Sequence, residues 1–162
     1  MRSRPRLLVP LVIVVAFVLP AVAQSALEGA VVRIVDGDTI HVRLADRVEK
    51  VRYIGVNTPE VHHPWKGEEP GGRAAAAVNR DLVSGRHVRL ELDVQSRDRH
   101  GRLLAYVWVD DTMVNAELVR RGFAQVMTVP PNVRHQSLFL KLQREAREAG
   151  RGLWSEAAPA AR

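Results

Sequence analysis

The sequence predicts an α+β domain in which five strands close into a small, partly open barrel, with three helices arriving late and at the C-terminal end. Five runs rich in β-branched residues, bounded by turn formers, supply the strands, and three segments with apolar residues about every 3.6 positions supply the helices. With 162 residues, 46% of them hydrophobic, and no internal repeat, the chain can bury one ordinary core, which excludes a multidomain enzyme. A flat sheet with helices on one face accommodates the same elements, and composition does not separate it from the barrel.

Residues 1–23 read as a secretory signal peptide: a basic start (Arg2, Arg4, Arg6), an apolar run over residues 7–19, a breaking Pro20, and Ala21-Val22-Ala23 ahead of Gln24. The apolar run is shorter than the roughly 20 residues that span a bilayer. Cleavage is expected after Ala23, giving a secreted product, extracellular or periplasmic; an uncleaved signal anchor would leave it tethered to the membrane. Strands follow at residues 31–35 and 39–44, separated by the turn Asp36-Gly37-Asp38, and Ala45-Asp46-Arg47 then turns the chain into a third strand over 48–56. A helix is expected over 73–83. Strands over 87–94 and 102–109 come next, joined by the polar stretch 95–101, and a second helix covers 114–121. The last helix, 135–149, places Leu138, Leu142, Ala146 and Ala149 on one stripe and stops at Gly150 and Gly152. One domain over 27–154 and a flexible tail over 155–162 are therefore expected.

The chain has no cysteine, so disulfide scaffolds, thiolate metal sites and cysteine nucleophiles are all excluded. Any metal must sit on oxygen or imidazole. The formal charge of +6 falls to +3 without residues 1–23, which carry three arginines and no acid, so charge is only a mild pointer to an acidic partner.

The turn Asp36-Gly37-Asp38-Thr39 places two carboxylates at a chain reversal, a common turn composition that by itself specifies nothing. Folding back the next strand adds to it. If the hairpin centres on Asp46 and Arg47, Val42 faces Val51 and Ile40 faces Tyr53, which brings Asp36 and Asp38 to the same end as Gly55 and Asn57. Asp38, the Asn57 amide oxygen and nearby carbonyls would form a nest of hard oxygens suited to Ca²⁺ or Mg²⁺. Strict alternation turns Arg52 away from Asp38, so a bulge or sharp coil near Tyr53 and Ile54 is expected to realign it. Pro59 ends the strand and leaves Glu60 at a loop mouth, and the turn 98–101 sets Arg102 at the start of the next strand. Taken singly, Glu60 can be read as a solvated loop acid, and Arg102 reads as a snorkelling edge-strand arginine.

Together, Asp36-Gly37-Asp38-Thr39, Arg52-Tyr53-Ile54-Gly55-Val56-Asn57-Thr58-Pro59-Glu60, Asp98-Arg99-His100-Gly101-Arg102, Val114-Asn115-Ala116-Glu117-Leu118 and Gly152-Leu153-Trp154 resemble the staphylococcal-nuclease-like (thermonuclease) family. The likeness runs over nearly all of the chain after residue 30. It implies a five-stranded OB-type β-barrel with three helices, and a Ca²⁺-dependent phosphodiesterase that cuts DNA and RNA to leave 3′-phosphate ends. By that resemblance Asp38, Asn57 and Thr58 (through its carbonyl) are metal ligands, Asp36 is an acid behind them, and Arg52, Glu60 and Arg102 are the catalytic trio. Monomeric action is expected.

Two departures from the family pattern stand out. Asn57 occupies an aspartate position, so the cation nest lacks one formal charge and is expected to be looser. In the stretch 126–131, Thr128 and Pro130 stand where the type member has tyrosines beside the nucleotide. Trp65 with Lys66, on the loop over 61–70, is a candidate replacement platform, and Arg99, clustered with Arg97 and Arg102, a candidate phosphate guide. His62-His63 makes a poor zinc pair, because neighbouring side chains on extended backbone diverge. The rival reading is an OB-fold module that binds nucleic acid without cutting it; Glu60 argues against it, since a carboxylate beside phosphate repels unless it takes part in chemistry.

Overall fold

Five strands pair edge to edge and the first and last of them meet, so the sheet has no open seam. The structure, a computed structural model, describes residues 27–61 and 67–155. The expected signal segment, the histidine pair, Trp65, Lys66 and the tail beyond Ser155 lie outside those residues.

The chain order is β1 (Leu27–Ile34), β2 (Thr39–Leu44), β3 (Arg47–Tyr53), a short β4 (Val56–Asn57), α1 (Gly72–Val83), β5 (His87–Glu91), β6 (Leu103–Val109), a short β7 (Thr112–Met113), α2 (Val114–Arg120), a short β8 (Gln125–Val126), α3 (Gln136–Glu148) and a final 3₁₀ turn (Gly152–Trp154). The sheet runs β3-β2-β1-β5-β6-β7, and β3 also pairs with β6 in parallel, Val51 opposite Leu103 and Tyr53 opposite Ala105. That contact closes β3, β2, β1, β5 and β6 into a barrel. Closure decides between the two architectures the composition left open, and it does so by removing an exposed edge. A β4–β8 ladder sits outside the barrel.

Ile40, Val42, Val51, Leu90 and Val107 are fully buried and fill the interior. The helices cap it: Leu118 and Val119 of α2 and Phe139 and Leu142 of α3 join the same cluster.

Local differences from expectation have physical causes. The β2–β3 hairpin turns one residue earlier than expected, Leu44 pairing with Arg47 so that Ala45 and Asp46 turn the chain, with Ala45 at φ 48°. Ile40 therefore faces Val51, and Val42 faces Glu49. Because the shift is an even number of residues, every side chain keeps its face and the buried set is unchanged. The third strand stops at Tyr53, where a turn at Ile54 and Gly55 (φ 78°) redirects the chain. Of the bulge or sharp coil expected there, the chain adopts the sharp turn, and a bulge lies in β1, between Val31 and Arg33. On α3 the buried residues are Phe139, Leu142 and Ala146, while Leu138 is 39% exposed and Ala149 is also exposed. The stripe keeps Leu142 and Ala146 of the expected set and takes Phe139 in place of Leu138.

Candidate active site

Asp38 stands in the bend before β2, outside the pleat, so strand alternation does not govern its side chain. Its carboxylate meets Arg52 at 3.0 Å, with both side chains buried. This is how the two groups come together without a bulge in β3. Arg52 Nη1 also donates to the Tyr53 and Val56 carbonyls at 3.1 and 2.9 Å, and Nη2 donates to Asn57 Oδ1 at 2.9 Å. The guanidinium thus draws the Asp38 and Asn57 oxygens towards one point. Thr58 N–H donates to Asp38 Oδ2 at 2.8 Å, and Thr39 Oγ1 donates to Oδ1 at 3.1 Å. Asp36 lies behind, its Oδ1 accepting the Asp38 N–H at 3.2 Å.

Burial pushes the Asp38 carboxyl up to about 6, Arg52 opposes that rise, and the nearby Asp36 charge adds to it. The carboxylate is short of positive charge. Thr58 Oγ1 is buried without a hydrogen-bond partner. A hard cation suits both conditions, and the available donors, the Asp38 carboxylate, the Asn57 amide oxygen and the Thr58 carbonyl, are all oxygens. Among the described residues no three His, Cys, Asp or Glu side chains gather into a metal cluster, so a cation here would depend on amide and carbonyl oxygens.

A cleft of about 550 Å³ opens beside this group, lined by Arg52, Asn57, Glu60, Arg99 and Arg102 among others. The two guanidiniums and the Glu60 carboxylate therefore share one cavity. Parallel pairing of β3 with β6 accounts for that, since it sets residues 51–53 alongside 103–105. Arg102 is fixed by Asp98, whose Oδ2 accepts from Arg102 Nε at 2.6 Å while Oδ1 accepts the Arg102 and His100 N–H groups at 2.9 Å each. Burial alone would raise the Asp98 carboxyl, but the bonds and charge from Arg102 and the His100 N–H hold it below its ordinary value. With Nε engaged, both Nη groups of Arg102 are left to face an anion. Glu60 is exposed, and its backbone is clamped by Glu69, which accepts the Glu60 N–H and donates its own N–H to the Glu60 carbonyl.

Arg97 does not join its neighbours at the cleft. Both its Nη groups bind the Glu49 carboxylate, at 3.0 and 2.7 Å, which ties the loop to β3. Arg99 does line the cleft, with its Nε on His100 Nε2 at 3.1 Å. Where the sequence shows Thr128 and Pro130 in place of tyrosines, the wall is aliphatic: Met127 and Val129 line it, 42% and 57% exposed.

Two buried asparagines that position the site were not singled out from the sequence. Asn79 of α1 accepts from Tyr53 Oη at 2.8 Å and donates to the Asp36 carbonyl at 2.9 Å, pinning the acidic bend against helix and barrel. Asn115 of α2 accepts from Val107 N–H and donates to the Ile54 carbonyl, each at 2.9 Å, fixing the turn after Arg52. The signal for Asn79 was present: it lies on the buried stripe of Ala75, Ala76 and Val83, where an unpartnered amide would be costly.

The sequence matches a known family. The model of the staphylococcal nuclease homologue family matches residues 50–156. The thermonuclease of Staphylococcus intermedius is 39% identical over 122 residues, 75% of this chain and 73% of that protein. The thermonuclease of Staphylococcus hyicus is 37% identical over 125 residues, 77% and 74% of the two chains. The SPbeta prophage-derived endonuclease YokF of Bacillus subtilis is 40% identical over 126 residues, 76% of this chain but 43% of its own length. The chain belongs to the staphylococcal nuclease homologue family.

Proposed function

We propose that this protein is an exported nuclease that hydrolyses phosphodiester bonds of DNA and RNA with Ca²⁺, leaving 3′-phosphate ends, and acts as a monomer. The observation that carries the reading is the convergence of Arg52, Glu60 and Arg102 on one cleft, beside the oxygens of Asp38 and Asn57. Export is supported by the basic start, the short apolar run and Ala21-Val22-Ala23; N-terminal sequencing of protein recovered outside the cell should begin at Gln24, and a chain beginning at Met1 overturns cleavage.

Attack of water on phosphorus builds negative charge on the equatorial oxygens, and groups that bind that charge more tightly than the ground state lower the barrier. Arg52 and Arg102, which both line the cleft, are the guanidiniums that do so in this reading. Glu60 orients the water and accepts its proton as the P–O5′ bond breaks, and the departing 5′ oxygen takes a proton from solvent water. Asp38, Asn57 and Thr58 would hold the cation, which when bound neutralises a non-bridging phosphate oxygen.

The deciding experiment incubates mature protein with plasmid and RNA, with Ca²⁺ or a chelator, alongside Glu60→Gln. Wild type should degrade both polymers only with Ca²⁺, and Glu60→Gln should lose about 10²-fold or more in turnover while still binding. Intact substrate across a range of cations would hand the cleft to a non-catalytic binding module.

A further inference from the structure

The outer wall of the barrel carries a row of cations that the fold leaves uncompensated. Pairing sets Arg33 of β1 opposite His41 of β2, and His41 opposite Lys50 of β3. Directly opposed residues share a face, so the three side chains stand side by side on adjacent strands about 4.8 Å apart. Arg43, two residues beyond His41, points the same way. Arg33, Arg43 and Lys50 are exposed, and none has an ion-pair partner among the described residues. Like charges directly opposite one another weaken a strand pair.

The β1 bulge creates this arrangement. Regular pairing after Val31 and Val42 would turn Val32 outward beside His41 and send Arg33 into the core. The extra residue instead delivers Arg33 to the outer face and returns Ile34 to face Ile40. The His41 imidazole is held below its ordinary value by burial and then by the charges of Arg33 and Lys50, as expected if both cations face it. The row also continues from the cleft. Lys50 lies two residues before Arg52 on the same side of β3, about 7 Å along the strand, and Thr39, the partner of Arg52, stands two before His41.

We propose that Arg33, Arg43 and Lys50 form a phosphate-backbone track, on which a single polynucleotide strand leaving the cleft runs across the outer face of β3, β2 and β1. For the polymer it carries, the proposal rests on the cleft being a nuclease site. Unpaired cations in a line recognise a repeating anion, and contacts to phosphate carry no sequence information, so binding through them is independent of sequence.

The test compares mature wild type, Arg33→Ala/Lys50→Ala and the charge control Lys141→Ala. Binding of a single-stranded 30-mer oligonucleotide, about 30 residues being ample to cross both cleft and track, is followed by fluorescence anisotropy against salt in the presence of chelator. Losing two phosphate contacts should flatten the slope of log affinity against log salt by about 1.4 and weaken low-salt binding about tenfold. In the presence of Ca²⁺ the ratio of kcat/KM on the polymer to that on a dinucleotide should fall in the double variant and hold in Lys141→Ala. The urea midpoint of the double variant should stay level or rise, since like charges are removed from exposed positions. An unchanged salt slope in the double variant and in Arg33→Glu/Lys50→Glu overturns the track. If wild type cuts nothing but the slope still flattens, the nuclease reading fails and the track stands.

Discussion

Three acceptors crowd Arg52 Nη1 and one meets Nη2, which leaves the Nε edge of the guanidinium with no protein acceptor among the described residues. Arg102 is engaged the other way round, through Nε, with no partner for its Nη groups among the described residues. Both residues are thereby immobilised with donors to spare, the condition for stabilising charge that develops only as the bond breaks. Asn57 shares the Arg52 grip but brings an amide where a carboxylate would add charge to the nest. Asn57→Asp should lower the Ca²⁺ concentration giving half-maximal activity, because an added formal charge tightens a hard-oxygen site. Titrating activity against Ca²⁺ in the two proteins checks this; an unchanged or higher requirement in the variant would contradict it. The identities of these side chains were readable in the sequence, being carried by short motifs. The partners that hold them were not: Asn79 reaches the acidic bend from 43 positions away, and no local pattern encodes that meeting.

Helix α3 shows how an element can be legible while its orientation is not. The expected and observed stripes share Leu142 and Ala146 and differ in whether Leu138 or Phe139 joins them, since both lie at helical spacing from Leu142. The choice falls to Phe139 because Gly55 leaves a seat for its ring: a Cβ built on Gly55 would stand 2.6 Å from Phe139 Cε2. Phe139→Ala should therefore cost about 3–5 kcal/mol of unfolding free energy. Leu138→Ala, at an exposed position, should cost less than about 0.5 kcal/mol. Urea unfolding of the two variants separates the stripes, and the reverse order would mean that α3 is seated differently. In the β2–β3 hairpin the sequence likewise marks the turn, whereas the register depended on whether Arg47 turned the chain or paired. It pairs, opposite Leu44.

For the molecule as a whole, the barrel and the segment leading into α3 are joined by a charged network on the side of β5 and β6. Glu91 accepts from Trp108 Nε1 and Arg134 at 2.9 Å each and contacts His135 Nε2 at 3.1 Å, while Asp93 accepts from Tyr106 Oη at 2.9 Å and the Arg134 N–H at 3.1 Å. Burial acts to raise both carboxyls, but these bonds outweigh it and hold both below their ordinary values. Depressed folded values mean that the stabilisation is complete above the usual carboxylate range and is lost as pH falls through it, roughly from pH 5 downward. Glu91→Gln should accordingly unfold at lower urea than wild type at pH 7, and the gap should narrow by about pH 3. A gap that stayed constant across that interval would show that the Glu91 charge contributes nothing to linkage.

The sequence by itself determined the five barrel strands and the three helices, though not the short β4, β7 and β8, together with the absence of thiol chemistry and the motifs that carry the acids, arginines and oxygen donors, because each depends on residues close together in the chain. Tertiary structure alone decided that the sheet closes, that Arg52 and Arg102 share a cleft, that Arg97 does not, and that Arg33 stands beside His41 on the outer wall. Those outcomes rest on pairing between distant strands and on a one-residue bulge, and they are settled only when the whole sheet finds a register that buries every apolar face at once.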